Sequence, residues 1–206
     1  MNVEDFHFEL PEELIAQTPL KDRTSSRLMA LDRQANKIEH RRFTDLIDYF
    51  RPGYTLVFNN TKVIPARLYG LKHETGAKVE ILLLKALGDD RWEALVRPGK
   101  RIKEGAALFF GAESMEDAEL TAEIEEEKPE GIRILRFRYE GIFNEILDRL
   151  GTMPLPPYIR SQLQDKDRYQ TVYAKEQGSA AAPTAGLHFT QPYMRMLEEK
   201  GVHLAY

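Results

Sequence analysis

The sequence predicts an α/β fold that carries an all-β insertion, a small antiparallel barrel of six strands. Residues 1–61 and 142–206 alternate helical and strand patterns, whereas residues 62–141 hold short apolar strands separated by turn residues. Closing six such strands into a barrel removes the exposed edges of an open sheet. We therefore predict a discontinuous α/β domain interrupted by a barrel domain, and 206 residues suffice for both.

Turn and capping residues delimit the elements of the first α/β part. Pro11 and two acids open a helix, Asn36 forms the turn between two strands, and Pro52 with Gly53 ends a second helix. An apolar strand of the buried type follows. The predicted elements are helices over residues 10–17 and 43–50 and strands over 27–31, 37–40 and 54–58.

The central part has turns that contain glycine, as at Pro98-Gly99. They separate six predicted strands, which span residues 63–71, 79–85, 92–96, 107–110, 120–124 and 132–137. After Gly141 a helix is predicted over 142–150, where the α/β pattern returns. Residues 201–206 resemble a helix-to-strand connection with a strand just begun, so we expect the sheet to lack strands that its fold requires.

Composition excludes several classes of protein. The 42% of hydrophobic residues suffice for a core, and the absence of cysteine excludes disulfides, cysteine-ligated metals and a thiol nucleophile. The N-terminus lacks a signal-peptide pattern and no apolar run reaches membrane-spanning length. A cytoplasmic protein that does not engage membranes is therefore expected.

Charge is unevenly distributed around a formal net value of −4. That value does not indicate a nucleic-acid binder. Acids concentrate in residues 113–127, a pattern typical of a solvated face. Four bases lie within seven positions, and they either contact phosphate or form another solvated face: Arg97, Lys100, Arg101 and Lys103.

A run of small residues ends abruptly in a histidine and an aromatic ring. In the small-residue loop (residues 178–190), nine successive positions carry nothing bulkier than proline or threonine before Leu187 and His188. Such a run suits a close approach of main chain to a ligand, although a flexible linker has the same composition. Thr190 is predicted to cap a helix over 191–197, which places His188 just before a helix N-terminus.

Two further segments carry polar or aromatic groups. Asn59, Asn60, Thr61 and Lys62 follow the strand at 54–58, where α/β proteins often bind ligands, but an Asn-rich turn explains them equally. The proline strip (residues 153–160) is rigid enough to hold Tyr158 for base stacking and Arg160 for phosphate, or it is a stiff linker. Tyr169, Val172 and Tyr173 are spaced like a helical packing stripe.

Several familiar signatures are absent from the sequence. It contains no Gly-x-Gly-x-x-Gly dinucleotide motif, no P-loop and no nucleophile elbow around a serine. The five histidines show no metal-ligand spacing, so no metal is expected.

Taken together, seven segments resemble the QueA family of S-adenosylmethionine:tRNA ribosyltransferase-isomerases, which act in queuosine synthesis. The resemblance runs along the whole chain, and its motifs are long. They are residues 5–11, 14–17, 26–28, 59–68, 154–159, 168–174 and 181–190. Family members usually have valine in place of Ala180 or Ala181, and they continue beyond the position of Tyr206 into a further strand motif.

The resemblance implies a transferase-isomerase without a permanently bound cofactor. S-adenosylmethionine, the co-substrate, donates its ribosyl group to 7-aminomethyl-7-deazaguanine in tRNA, giving epoxyqueuosine and releasing adenine and methionine. His188 is the candidate acid or base, or else only a packing residue. The other candidates would bind substrate or RNA: Asn59, Asn60, Thr61, Lys62, Arg67, Tyr158, Arg160, Ala182, Pro183, Thr184 and Gly186.

The resemblance thus implies two partners, tRNA carrying the modified base and S-adenosylmethionine, for a protein expected to be a monomer. A noncatalytic RNA-binding barrel that uses the basic run at 97–103 is the alternative from another class. A small-molecule hydrolase on an α/β scaffold is the third.

Overall fold

The computed structural model describes residues 2–161, 165–179 and 181–206. Within them lie a closed barrel, three two-stranded sheets and two α-helices. The strands are β1 (Arg27–Asp32), β2 (Lys37–Arg42), β3 (Thr55–Val57), β4 (Thr61–Val63), β5 (Arg67–Lys72), β6 (Lys78–Gly88), β7 (Arg91–Arg97), β8 (Ala107–Phe110), β9 (Leu120–Glu127), β10 (Ile132–Tyr139), β11 (Glu176–Ser179) and β12 (His203–Ala205). The α-helices are α1 (Phe143–Leu150) and α2 (Gln191–Glu199). Short 3₁₀-helices span Val3–Phe6, Glu12–Leu14, Arg23–Ser25, Phe43–Tyr49, Gly99–Arg101, Pro129–Gly131, Lys166–Tyr169 and Thr184–His188.

The six-stranded antiparallel barrel is confirmed. Its strands follow one another around the wall in the order β10, β7, β6, β5, β8 and β9, and β9 closes it by pairing with β10. Alternate residues point inward, as a period of two requires, and Leu68, Ile81 and Leu135 are fully buried. The barrel core therefore comes from every strand of the wall.

The first barrel strand begins later than predicted. The single strand expected over residues 63–71 is two strands, β4 and β5, with Pro65 between them. Proline has no N–H to donate to a ladder, so pairing is interrupted there. β4 lies outside the barrel and pairs in parallel with β11.

Helix α1, predicted over 142–150, packs on the barrel. Its Ile146 and Leu147 are buried and belong to the same apolar cluster as the barrel interior. The domain boundary predicted after residue 141 therefore separates α1 from the core that it covers. The division into two domains stays a prediction.

A second core lies beneath α2. Phe43, Phe58, Phe189, Tyr193 and Leu197 are buried together there, with the Phe189 ring edge-on to both Phe43 and Phe58 at 5.0 Å. The parallel pair of β3 and β12 borders this core. Thr190 caps α2 as predicted, because its hydroxyl accepts a hydrogen bond from the Tyr193 N–H at 3.3 Å.

Three other predictions need adjustment, and one is confirmed. The strand at 54–58 is buried on one face only: Leu56 and Phe58 pack in the second core, whereas Val57 is 79% exposed. The helices predicted at 10–17 and 43–50 are short 3₁₀-helices, a form that needs only a few residues. The hairpin of β1 and β2 around Asn36 is as predicted.

Candidate functional site

A cavity of about 920 Å³ lies where three chain segments meet. The N-terminal segment (residues 16–21) forms one wall, the proline strip another, and residues 165–169 with the small-residue loop the third. Its volume suits a small-molecule ligand. The lining residues are Ala16, Gln17, Thr18, Pro19, Leu20, Lys21, Leu155, Pro156, Tyr158, Ile159, Ser161, Asp165, Arg168, Tyr169, Thr184 and Leu187.

Gln17 fastens the N-terminal segment to the proline strip. Its side-chain amide donates to the Tyr158 carbonyl at 3.0 Å, and its amide oxygen accepts from the Arg160 N–H at 2.7 Å. The Gln17 side chain thus makes the donor and acceptor pair that a neighbouring strand would make with its backbone. It holds the N-terminal segment beside the proline strip, although the two are more than a hundred residues apart in sequence.

Arg23 holds together the two parts of the third wall. Its guanidinium donates to the carbonyls of Asp167 at 2.9 Å and of both Gln170 and Leu187 at 3.0 Å. Burial and the neighbouring Arg168 lower the pKa of Arg23. Because hydrogen bonds from a charged donor are strong, this clasp fixes the small-residue loop against residues 167–170.

Gln170 connects the cavity wall to β4. Its amide nitrogen donates to the Val63 carbonyl at 2.6 Å and its amide oxygen accepts from the Val63 N–H at 3.0 Å. Residues 59–62 therefore lie outside the cavity lining and are connected to the cavity wall through Gln170.

The polar lining includes two cations, Lys21 and Arg168, and two phenols, Tyr158 and Tyr169. Lys21, Arg168 and Asp165 are the charged residues of the lining, and the Arg168 guanidinium donates to the Leu20 carbonyl. Burial raises the pKa of the Tyr169 hydroxyl, and nearby Tyr158 adds to that shift. Tyr169 therefore stays a neutral phenol at physiological pH, able to stack or to hydrogen-bond.

Two of the twelve predicted site residues line the cavity, Tyr158 and Thr184. Tyr158 is 54% exposed, which leaves its ring accessible. The other ten lie outside the lining: Asn59, Asn60, Thr61, Lys62, Arg67, Arg160, Ala182, Pro183, Gly186 and His188. Ala180 of the small-residue loop lies outside the described residues.

Residues 59–62 form a turn into β4 with one unsatisfied group. Asn59 accepts from the Thr61 N–H at 2.9 Å, and the Asn60 carbonyl accepts from the Lys175 N–H at 2.8 Å. The Thr61 hydroxyl is buried without a hydrogen-bond partner among the described residues. Lys62 is exposed.

Both predicted phosphate-binding arginines contact carboxylates. Arg160 forms a two-pronged pair with Glu12 at 2.7 and 3.0 Å on the exposed surface. Arg67 lies 3.4 Å from the Glu80 carboxylate, and its backbone pairs with Thr152 at the start of the proline strip. Exposed pairs of this kind are weak, so the pairing with Glu12 does not prevent Arg160 from contacting an external anion.

His188 ends the 3₁₀-helix of the small-residue loop, half-buried beside the second core. Its ring centroid lies 5.3 Å from that of Phe43, and Nδ1 lies 3.4 Å from the Arg23 carbonyl oxygen. Leu187, its neighbour, reaches the cavity. In this conformation the imidazole packs on Phe43 and is not part of the cavity lining.

Gly186 is buried, and its surroundings leave no room for a larger side chain. A Cβ atom there would lie 2.1 Å from the Tyr173 hydroxyl oxygen and 2.9 Å from the Thr171 methyl. The close neighbour of Gly186 is this protein's own Tyr173, and the predicted approach of the loop to a ligand stays a prediction.

Sequence reasoning assigned no role to Gln17, Arg23 or Arg168. Gln17 and Arg168 could have been identified as candidates because they lie within the recognised motifs at 14–17 and 168–174. No local sequence pattern predicts that the Arg23 guanidinium binds three carbonyls, because those carbonyls lie far from Arg23 in sequence.

The described residues include no cluster of side chains suited to a metal ion. Nor is any helix within 2–161, 165–179 or 181–206 long and apolar enough to cross a membrane.

Comparison with known proteins gives consistent matches. The profile of the family described as "Queuosine biosynthesis protein" matches residues 3–206. Proteins from two strains of Staphylococcus epidermidis, both named S-adenosylmethionine:tRNA ribosyltransferase-isomerase, are 57% identical over 206 residues. The chain spans 59% of the length of these curated relatives. A crystal structure of S-adenosylmethionine tRNA ribosyltransferase from Thermotoga maritima is 36% identical over 98% of this chain and 56% of that chain, with a TM-score of 0.38.

Proposed function

The chain belongs to the queuosine biosynthesis protein family, and on that premise we propose that it is an S-adenosylmethionine:tRNA ribosyltransferase-isomerase. The observation that carries the proposal is 57% identity to enzymes of that name across all 206 residues. The recognised motifs 14–17, 154–159, 168–174 and 181–190 each contribute residues to the cavity wall. Loss of cavity residues should therefore impair substrate binding.

The proposed reaction transfers the ribosyl group of S-adenosylmethionine to 7-aminomethyl-7-deazaguanine in tRNA. The ribose rearranges to the epoxycyclopentane of epoxyqueuosine, and adenine and methionine leave. The sulfonium acidifies the adjacent carbon, so a base of moderate strength starts the reaction, and a proton donor helps adenine to depart.

We propose that the cavity takes S-adenosylmethionine. Lys21 and Arg168 would bind its carboxylate, since both are cations on the lining. Tyr158 and Tyr169 offer faces on which the sulfonium or the adenine can rest. The apolar remainder of the lining, such as Leu155 and Leu187, would exclude water from the reacting carbon.

The remaining candidates stay part of the proposal. His188 would supply the acid or base after its ring turns from Phe43 toward the cavity behind Leu187. Residues 59–62 would position ribose and base, Arg67 and Arg160 would contact RNA backbone, and the loop at 182–186 would bring main chain to the substrate.

Equilibrium dialysis with labelled S-adenosylmethionine tests the proposed cavity. Arg168→Gln and Lys21→Gln should each weaken binding roughly tenfold, the loss expected for one charged hydrogen bond. Arg195→Gln, on the exposed face of α2, is the matched control and should bind like wild type. Equal affinity in all three variants would show that the ligand binds elsewhere.

A further inference from the structure

A basic face lies on the barrel, apart from the cavity. Tyr69, Glu80 and Arg97 occupy one row across β5, β6 and β7. Their neighbours in sequence point into the core, so this row points outward. Lys78 precedes Glu80 by two residues and shares its side of the sheet, next to the turn that follows β7.

A buried arginine holds that turn in place. Arg133 is only 6% exposed, and its guanidinium donates to the carbonyls of Gly99 at 3.2 Å and Ile102 at 3.4 Å. Glu127 balances its charge at 3.0 Å. The carbonyls of residues 99 and 102 are therefore turned inward, and Lys100 and Arg101 between them are exposed.

The cations of this face have no internal counter-ion. Within the described chain, no carboxylate lies within 4.0 Å of Lys78, Arg97, Lys100 or Arg101, and Glu80 is paired with Arg67. Four other bases of the barrel domain are paired: Arg91 with Glu125 at 2.7 Å, Lys128 with Glu93 at 2.8 Å, Arg136 with Glu125 at 3.8 Å and Arg138 with Glu123 at 3.3 Å. Positive potential is thus concentrated at one end of β5 to β7, although the chain is acidic overall.

We propose that this basic face, Tyr69, Lys78, Arg97, Lys100 and Arg101, binds the phosphate backbone of the tRNA substrate outside the modified base. The inference rests on the proposed function. Clustered unpaired cations beside an exposed aromatic ring match a polyanion with stackable bases, and Tyr69 is 57% exposed.

Continuity with the cavity supports this partner. Arg67 lies two residues from Tyr69 on β5 and pairs through its backbone with Thr152, where the proline strip begins. An RNA lying along β5 and this strip would run from the basic face toward Tyr158 at the cavity.

Binding of a tRNA transcript, measured by fluorescence anisotropy over a range of salt concentrations, tests the proposal. The variant Arg97→Gln/Lys100→Gln/Arg101→Gln should lose roughly 10- to 100-fold in affinity, and its slope of log K against log salt should fall by about 2 to 3. The control Lys128→Gln/Arg136→Gln/Arg138→Gln removes the same charge from paired positions and should lose less than about twofold. Tyr69→Ala should weaken binding, and Tyr69→Phe should not.

Equal losses in the two triple variants would overturn the proposal, as would a wild-type chain that does not bind tRNA. Dialysis with S-adenosylmethionine separates this result from the proposed function. Intact S-adenosylmethionine binding with no selective loss of RNA affinity rejects only the basic face. Selective loss of RNA affinity without S-adenosylmethionine binding rejects only the cavity assignment.

Discussion

At the scale of single residues, close contacts decide what each position tolerates. Gly186 touches the hydroxyl end of Tyr173, whose ring packs 4.8 Å from Phe58 and 5.7 Å from Tyr206. The composition of the loop predicted a close main-chain approach, but not its neighbour. Tyr173 is 13 or more residues away in sequence from Gly186, Phe58 and Tyr206, so only the fold brings them together.

Gly186→Ala should lower the free energy of unfolding by about 1–3 kcal/mol, because the new Cβ atom displaces the Tyr173 ring. In a Tyr173→Phe background the cost should be smaller, since the atom that lies 2.1 Å away is gone. Urea unfolding of the four proteins measures this. The same cost in both backgrounds would place the conflict at Thr171 instead.

His188→Gln should slow the chemical step roughly 10²- to 10⁴-fold if the imidazole is the acid or base. Glutamine retains a polar group near the Arg23 carbonyl, so the fold should persist. Phe43→Leu is the control for packing, because it removes the ring beside His188 and should lower stability more than the chemical step. A near-normal single-turnover rate for His188→Gln would leave His188 as a packing residue.

At the scale of elements, the barrel strands were the most predictable part. Alternating apolar residues bounded by turns predicted β8 at its observed bounds and the others within a few residues. Irregular segments were not predictable, because long-range hydrogen bonds hold them. Gln17, Arg23 and Gln170 satisfy backbone groups from distant segments, and no local pattern predicts such partners.

Tyr139 on β10 gives the barrel a measurable pH dependence. Its hydroxyl donates to Asp90 Oδ1 at 2.5 Å, and this bond, with burial, raises its pKa from 10.0 to about 12. The neutral form is favoured in the folded state, so this contribution to stability is complete below pH 10.0 and is lost as the pH rises toward 12.

Tyr139→Phe should therefore reduce stability below pH 10.0, with the difference from wild type vanishing above pH 12. Ultraviolet difference titration should show one tyrosine with a pKa of about 12 that the variant lacks. A stability difference that does not change between these pH values would mean that the hydroxyl acts only by packing.

At the scale of the whole molecule, two apolar cores organise the chain. One fills the barrel and includes α1, and the other lies between α2 and the aromatic residues around Phe189. The change in sequence pattern near residues 62 and 141 predicted the two regions. It did not predict the packing of α1 on the barrel, because an amphipathic helix does not specify which core its apolar face covers.

We expect the two cores to unfold as separate units, which tests the predicted division into domains. Leu135→Ala and Leu197→Ala each remove a fully buried side chain and should cost about 2–5 kcal/mol. Hydrogen exchange should accelerate around the barrel in the first variant and around α2 in the second. Acceleration of both regions in either variant would indicate a single cooperative domain.

The proposed function requires ribosyl transfer from S-adenosylmethionine to tRNA. Release of adenine from labelled S-adenosylmethionine, with protein in excess and tRNA carrying 7-aminomethyl-7-deazaguanine, measures it directly. A Staphylococcus epidermidis relative serves as the positive control. We predict that adenine appears only when the modified tRNA is present, and that Arg168→Gln diminishes it. No adenine from this chain while the relative releases it, or release that does not depend on tRNA, would contradict the assignment.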